Sequence, residues 1–161
     1  MVDNPSSLED SRMTDLTHRQ KMVLAGLAAA HGQTFAPVQI QKLFFILDEN
    51  IANQIGGRQF RFEPYHFGPF DRSVYDEVKA LSRKGLANVE SLGPWAGSRI
   101  YYLTPAGQTE GESILKILPA SATDYIKKAG DWVRSLSFEE LVGSIYKAYP
   151  HMKANSIFVD E

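Results

Sequence analysis

The chain of 161 residues contains no cysteine. Disulfides, thiolate catalysis and zinc sites built on Cys are therefore excluded. The absence fits a reducing compartment, and a cytoplasmic location is expected. No run of about 18 apolar residues occurs, so no membrane span is expected. The opening "MVDNPSSLEDSRMTDLTHRQ" is polar and acidic and lacks the apolar core of a signal peptide. A strong basic excess is also missing. Residues 1–17 hold one base, Arg12, and four acids, Asp3, Glu9, Asp10 and Asp15; the remainder holds 16 bases and 15 acids. A body of net charge +1 is a weak attractor for phosphate unless its bases gather on one face.

The usual signatures of chemistry are scarce. His18, His31, His66 and His151 form no His-x-x-x-His or His-Glu-x-x-His pattern, so no metal is expected. Surface or capping roles account for them better. There is no Gly-x-Ser-x-Gly elbow and no Gly-rich phosphate loop; Gly56-Gly57 stand alone. The carboxylate pairs Asp48/Glu49, Asp76/Glu77 and Glu139/Glu140 are adjacent on expected helices. Their side chains diverge by about 100°, which suits solvated faces better than acid/base catalysis. Trp132 and Tyr146 read as core rather than as a cofactor box. No catalytic residue, metal or cofactor is expected.

What is present is an ordinary globular balance, with 43% hydrophobic and 22% charged residues. Residues 1–15 read as a disordered acidic lead-in in which Met13 is an alternative start. Residues 16–161 read as a single domain. Thr17 and Gln20 have capping-box spacing for a helix running to His31, and Gly32 fits its stop. Pro37 suits the first turn of a second helix, in which Ile40, Leu43, Phe44, Leu47 and Ile51 repeat at helical spacing. Phe45 and Ile46 widen that stripe, so the middle of the helix is apolar nearly all round and should be central. "RQFRFEPY" alternates as a short strand or extended arm stopped by Pro64. Asp71 is the expected N-cap of a third helix that Gly85 ends. "LANVES" and "SRIYYLT" flank a Gly/Pro turn as a hairpin, and Thr104-Pro105 opens another helix. Two apolar stripes follow, one through Ala122, Ile126, Ala129, Trp132/Val133 and one through Phe138, Leu141, Ile145. Ser137 and Glu140 form a capping box ahead of the second. The fold class is mainly α with a small β-hairpin (α+β), a winged-helix-like core extended by C-terminal helices.

The stretch "YHFGPFDRSVYDEV" at 65–78 holds the candidate site. Gly68 permits positive φ or close backbone approach, and Pro69 stiffens the chain ahead of Asp71. Gly68, Pro69 and Asp71 read as a structural corner. Tyr65, His66, Phe67, Phe70 and Tyr75 read as partner-binding residues, because aromatic anchors are typical of interface hot spots. His66 lacks a local acid to orient it as a base. The plainer account is a partly buried ring that fixes the corner by hydrogen bonding.

Gln41-Lys42-Leu43-Phe44-Phe45, then Phe67-Gly68-Pro69-Phe70 and Val74-Tyr75, resemble in order and spacing the Panacea-domain family, also called SocA-like or phage-associated proteins. The resemblance covers roughly residues 36–85. His66 and Phe70 stand where that family often has Trp and an aliphatic residue. The resemblance implies a mostly helical antitoxin or proteolytic adaptor without catalytic residues, binding a protein partner in a phage, prophage or defence context. A winged-helix regulator is the alternative. Its third helix would enter the major groove, and Arg72, Lys79, Arg83, Lys84 and Arg99 would contact DNA.

Overall fold

The computed structural model describes residues 15–158. The expected lead-in, apart from Asp15, and the alternative start at Met13 lie outside the described residues. Among the described residues six α-helices and two small antiparallel hairpins follow in the order α1 His18–Ala28, α2 Pro37–Ile51, β1 Glu63–Tyr65, β2 Gly68–Phe70, α3 Ser73–Arg83, β3 Ala87–Ser91, β4 Arg99–Leu103, α4 Pro105–Ile117, α5 Ala120–Ser135 and α6 Phe138–Ala148. The protein is thus mainly helical with small hairpin sheets, of α+β class. Among the described residues no helix is long and apolar enough to cross a membrane.

Local chemistry sets most boundaries. Thr17 Oγ1 accepts from Gln20 N at 3.1 Å, and Gln20 Oε1 accepts from Thr17 N at 3.1 Å. Ser137 and Glu140 form the same reciprocal box ahead of α6. Thr104 caps α4 through Gly107 N, with Pro105 in the first turn. α1 ends at Ala28, three residues short of expectation. Ala30 and His31 donate back only three residues, to Leu27 and Ala28, and His31 and Gly32 then turn to φ 51° and 84°.

α2 is the central helix. Ile40, Leu43, Phe44, Phe45, Ile46, Leu47 and Ile51 are all buried. They join one core cluster to which all six helices contribute. β3 and β4 pair in register from Ala87↔Leu103 to Ser91↔Arg99. Phe35 bridges to Tyr101 by two hydrogen bonds of 2.9 Å, which fixes the α1–α2 connection to this hairpin. α5 buries Ala122, Ile126, Ala129 and Val133, while Trp132 is 38% exposed. The expectation of a core Trp132 is therefore corrected: the buried series runs through 133, and its neighbour points about 100° away. Tyr146 is buried as expected.

α1 and α4 pack at a close crossing that glycine permits. A Cβ on Gly111 would meet the Ala28 methyl and stand 2.8 Å from Leu24 O. Such contact separates the helices or forces side chains off their rotamers. Gly111→Ala should destabilise the protein by about 1–3 kcal/mol, measured by urea unfolding; an unchanged midpoint would refute the close packing.

Candidate functional site

The arm between α2 and α3 is held to α2 by three buried polar side chains. Asp48 is 2% exposed. Its two carboxylate oxygens accept from Gln59 N and Phe60 N, each at 2.9 Å. Gln41, 1% exposed, lies seven residues earlier on the same helix face. It donates from Nε2 to Asp71 O and accepts from Asp71 N, both at 3.0 Å. Lys42, 3% exposed, donates from Nζ to Pro69 O at 3.1 Å. The arm's backbone groups are thereby satisfied by side chains where no long ladder exists to do so.

Between those anchors the chain makes a hairpin. Glu63 pairs with Phe70, Pro64 with Pro69 and Tyr65 with Gly68, so His66-Phe67 form the tip. This corrects two expectations. Pro64 does not stop the strand but lies inside it, and Gly68-Pro69 form the return strand rather than an elbow. Antiparallel pairs alternate between rungs that exchange N–H···O bonds and rungs that do not. The two prolines face each other on one rung, where neither needs an N–H. Gly68 takes the positive φ of 99° that follows the tip.

Asp71 knots the end of the arm. Its Oδ2 accepts from Arg61 N and its Oδ1 from Ser73 N, both at 2.8 Å. α3 begins at Ser73, with Arg72 rather than Asp71 at the cap position. Asp71 still satisfies a first-turn donor from one residue earlier.

All five expected partner-binding residues come together. Tyr65, His66, Phe67, Phe70 and Tyr75 line one cleft of about 570 Å³. Lys42, Trp95, Phe138 and Leu141 line it too. Tyr65 is 48% exposed, Phe67 39%, Trp95 69% and Phe138 39%, a concentration of large apolar side chains on one rim. Phe67 meets Phe138 edge-on at 5.0 Å between ring centres, joining the hairpin tip to α6. Tyr75 is half-buried and stacks on Tyr101, and burial pushes its phenol up in pKa.

His66 departs from the expected half-buried ring. It is exposed and stacks flat on Tyr65 at 4.2 Å. Its carbonyl accepts from Ile157 N at 3.0 Å. The hydrogen bonding at this position runs through the backbone because the ring sits at the hairpin tip. The other histidines are exposed, and His18 Nε2 lies 2.7 Å from Ile55 O. Among the described residues no group of three or more His, Cys, Asp and Glu is arranged to hold a metal.

The carboxylate pairs are not uniformly solvated. Asp48 is buried, as above. Glu49 pairs with Arg58 at 2.6 Å and Glu77 with Arg19 at 2.8 Å. The bases proposed for DNA contact lie on or next to α3, apart from Arg99 on β4. Lys79, Arg83 and Lys84 are exposed. Arg72 lies 4.0 Å from Asp76.

Fold and site define a mainly helical protein with an aromatic-rimmed cleft over its central helix. Against family models, curated proteins and solved structures, the chain finds no match in any of the three.

Lys42 was not singled out as a functional residue by its sequence context. The signal was available: a lysine in a helix apolar nearly all round has to be buried. Burial lowers its pKa to about 7 from an ordinary 10.5. The folded pKa lies below the unfolded one, so between about 7 and 10.5 the unfolded chain holds the proton and the folded chain releases it. Stability attributable to Lys42 therefore rises with pH across that window. Relative to Lys42→Met, the protein should gain up to about 1.4 kcal/mol per pH unit between pH 7.5 and 9. Urea unfolding of both forms at several pH values measures this; parallel pH profiles would refute it.

Proposed function

We propose that the protein is a non-catalytic protein-binding module of the antitoxin or proteolytic-adaptor kind, resembling Panacea and SocA-like proteins and acting in a phage, prophage or defence context. The observation that carries this reading is the exposed aromatic rim of Tyr65, Phe67, Trp95 and Phe138 around one cleft. Aromatic side chains dominate the buried centres of protein interfaces, and surface patches of this kind mark interaction sites. The resemblance across residues 36–85 supports the same reading. The rim sits on a hairpin that α2 holds through Gln41 and Lys42, so its rings are presented with little ordering cost on binding. A toxin or an adaptor target is the partner class.

A winged-helix regulator is the second reading. It is favoured by the Phe35–Tyr101 bridge, which adds a third extended segment beside β3–β4, and by exposed Lys79 and Arg83 on α3. Asp76 and Glu77 share that helix and weaken its attraction for phosphate. The two readings are compatible, since an antitoxin can bind its own operator.

Affinity capture from the native host should recover a specific protein, and Phe67→Ala with Trp95→Ala should weaken its binding by about 2 kcal/mol or more. Trp95→Ala alone should change stability by no more than about 0.5 kcal/mol, because the side chain is largely exposed. Recovery of no specific protein would sink the first reading. The second requires a salt-sensitive electrophoretic shift of upstream DNA that Arg83→Ala abolishes.

A further inference from the structure

Lys42 differs from three arginines near the site, each of which faces an acid. Arg19 pairs with Glu77, Arg58 with Glu49 and Arg72 with Asp76. Among the described residues Lys42 forms no ion pair. An ammonium has three donors, and the carbonyl of Pro69 takes one of them. The side chain is 3% exposed and borders the cleft, a space lined by several rings. Gly68 lines the same space beside it, where a Cβ would stand 3.7 Å from Nζ. An unpaired ammonium in apolar surroundings is costly, and a counter-charge offsets that cost.

The composition of the cleft defines the ligand. Among its described lining residues Lys42 is the one Lys or Arg, and no Asp or Glu is present. One cation selects a head group with one negative charge; phosphates are typically clamped by several donors. Tyr65, Phe70, Tyr75 and Phe138 select an apolar or aromatic body. A volume of about 570 Å³ suits a small organic molecule. We propose that the cleft binds a small amphiphilic carboxylate, its head group on Lys42 Nζ and its apolar body between the hairpin and α6. The cleft is the one whose rim carries the protein-partner reading, and the ligand test on the isolated chain can fail independently of that reading.

The probes are phenylbutyrate and decanoate, each against its uncharged amide, titrated into the full chain by NMR up to about 10 mM. At least one acid should saturate, and its amide should bind at least about tenfold more weakly, the scale of one charge-assisted hydrogen bond. Lys42→Met keeps the apolar stem and should weaken the acid by a similar factor, so that the difference between acid and amide disappears. Tyr65→Ala, at a half-exposed position, should weaken acid and amide alike. The acid–amide comparison needs no variant, so the proposal stays testable if Lys42→Met fails to fold. Equal binding of acid and amide overturns the proposal, as does absence of binding by both acids. Saturation by a short peptide acid ending in Phe, with neither small acid binding, also overturns it and assigns the site to a partner's C-terminus.

Discussion

Gln41 makes a two-way amide pair with the backbone of Asp71, thirty residues later, and the arrangement of the site depends on it. The pair fixes the end of the arm against the middle of α2. Asp71 then ties that point back to Arg61 and forward to Ser73. A segment with three-residue strands cannot satisfy its own backbone, and a hairpin of that length is marginal alone. Gln41, Lys42 and Asp48 replace the missing ladder. Each is buried in α2, whose middle is apolar nearly all round, where an unpartnered polar group is penalised strongly. That penalty makes the arm's path specific: any other register strands a buried amide, a carboxylate or an ammonium.

The hairpin follows from the same constraint. Its strand residues include two prolines, which would ordinarily argue against pairing. Placed opposite each other, they cost the ladder nothing at the rung they share. Pro69 keeps a carbonyl free to point away from its partner strand, and Lys42 takes it. The tip residues His66 and Phe67 then project beyond the anchored backbone, with Phe67 resting on Phe138. Rings presented this way remain partly exposed because the anchoring lies beneath them, in the backbone of the return strand.

Legibility in the sequence divides along the range of the interaction. Thr17 with Gln20, Ser137 with Glu140 and Thr104 before Pro105 act within a few residues, and the helix starts they imply are found. The apolar repeat of α2 and the 87–103 hairpin are local patterns too, and both hold. Contacts across 27 and 30 residues are different. No spacing rule links Lys42 to Pro69 or Gln41 to Asp71, so the return strand reads as an elbow until the partner helix is seen. Adjacency to Glu49 suggests a solvated face for Asp48, although the apolar surroundings in α2 argue for burial. The five aromatic positions of the site were legible because they cluster in one short stretch. Trp95 and Phe138, which complete the rim, come from distant segments and were not.

Lys42 does more than hold a carbonyl. A neutral donor suffices for that task, as Gln41 shows one residue earlier at Asp71. What a lysine adds is a charge, and an apolar site makes that charge expensive enough to bring its pKa down to about 7. Replacing a buried ionic group with an apolar one is often neutral or stabilising, so stability alone gives no reason for an ammonium here. Arg19, Arg58 and Arg72 each face an acid. Lys42 is instead set against a cleft with no acid in its lining. A charge placed there acts on whatever enters the cleft, and the backbone it holds is the backbone that carries the rim.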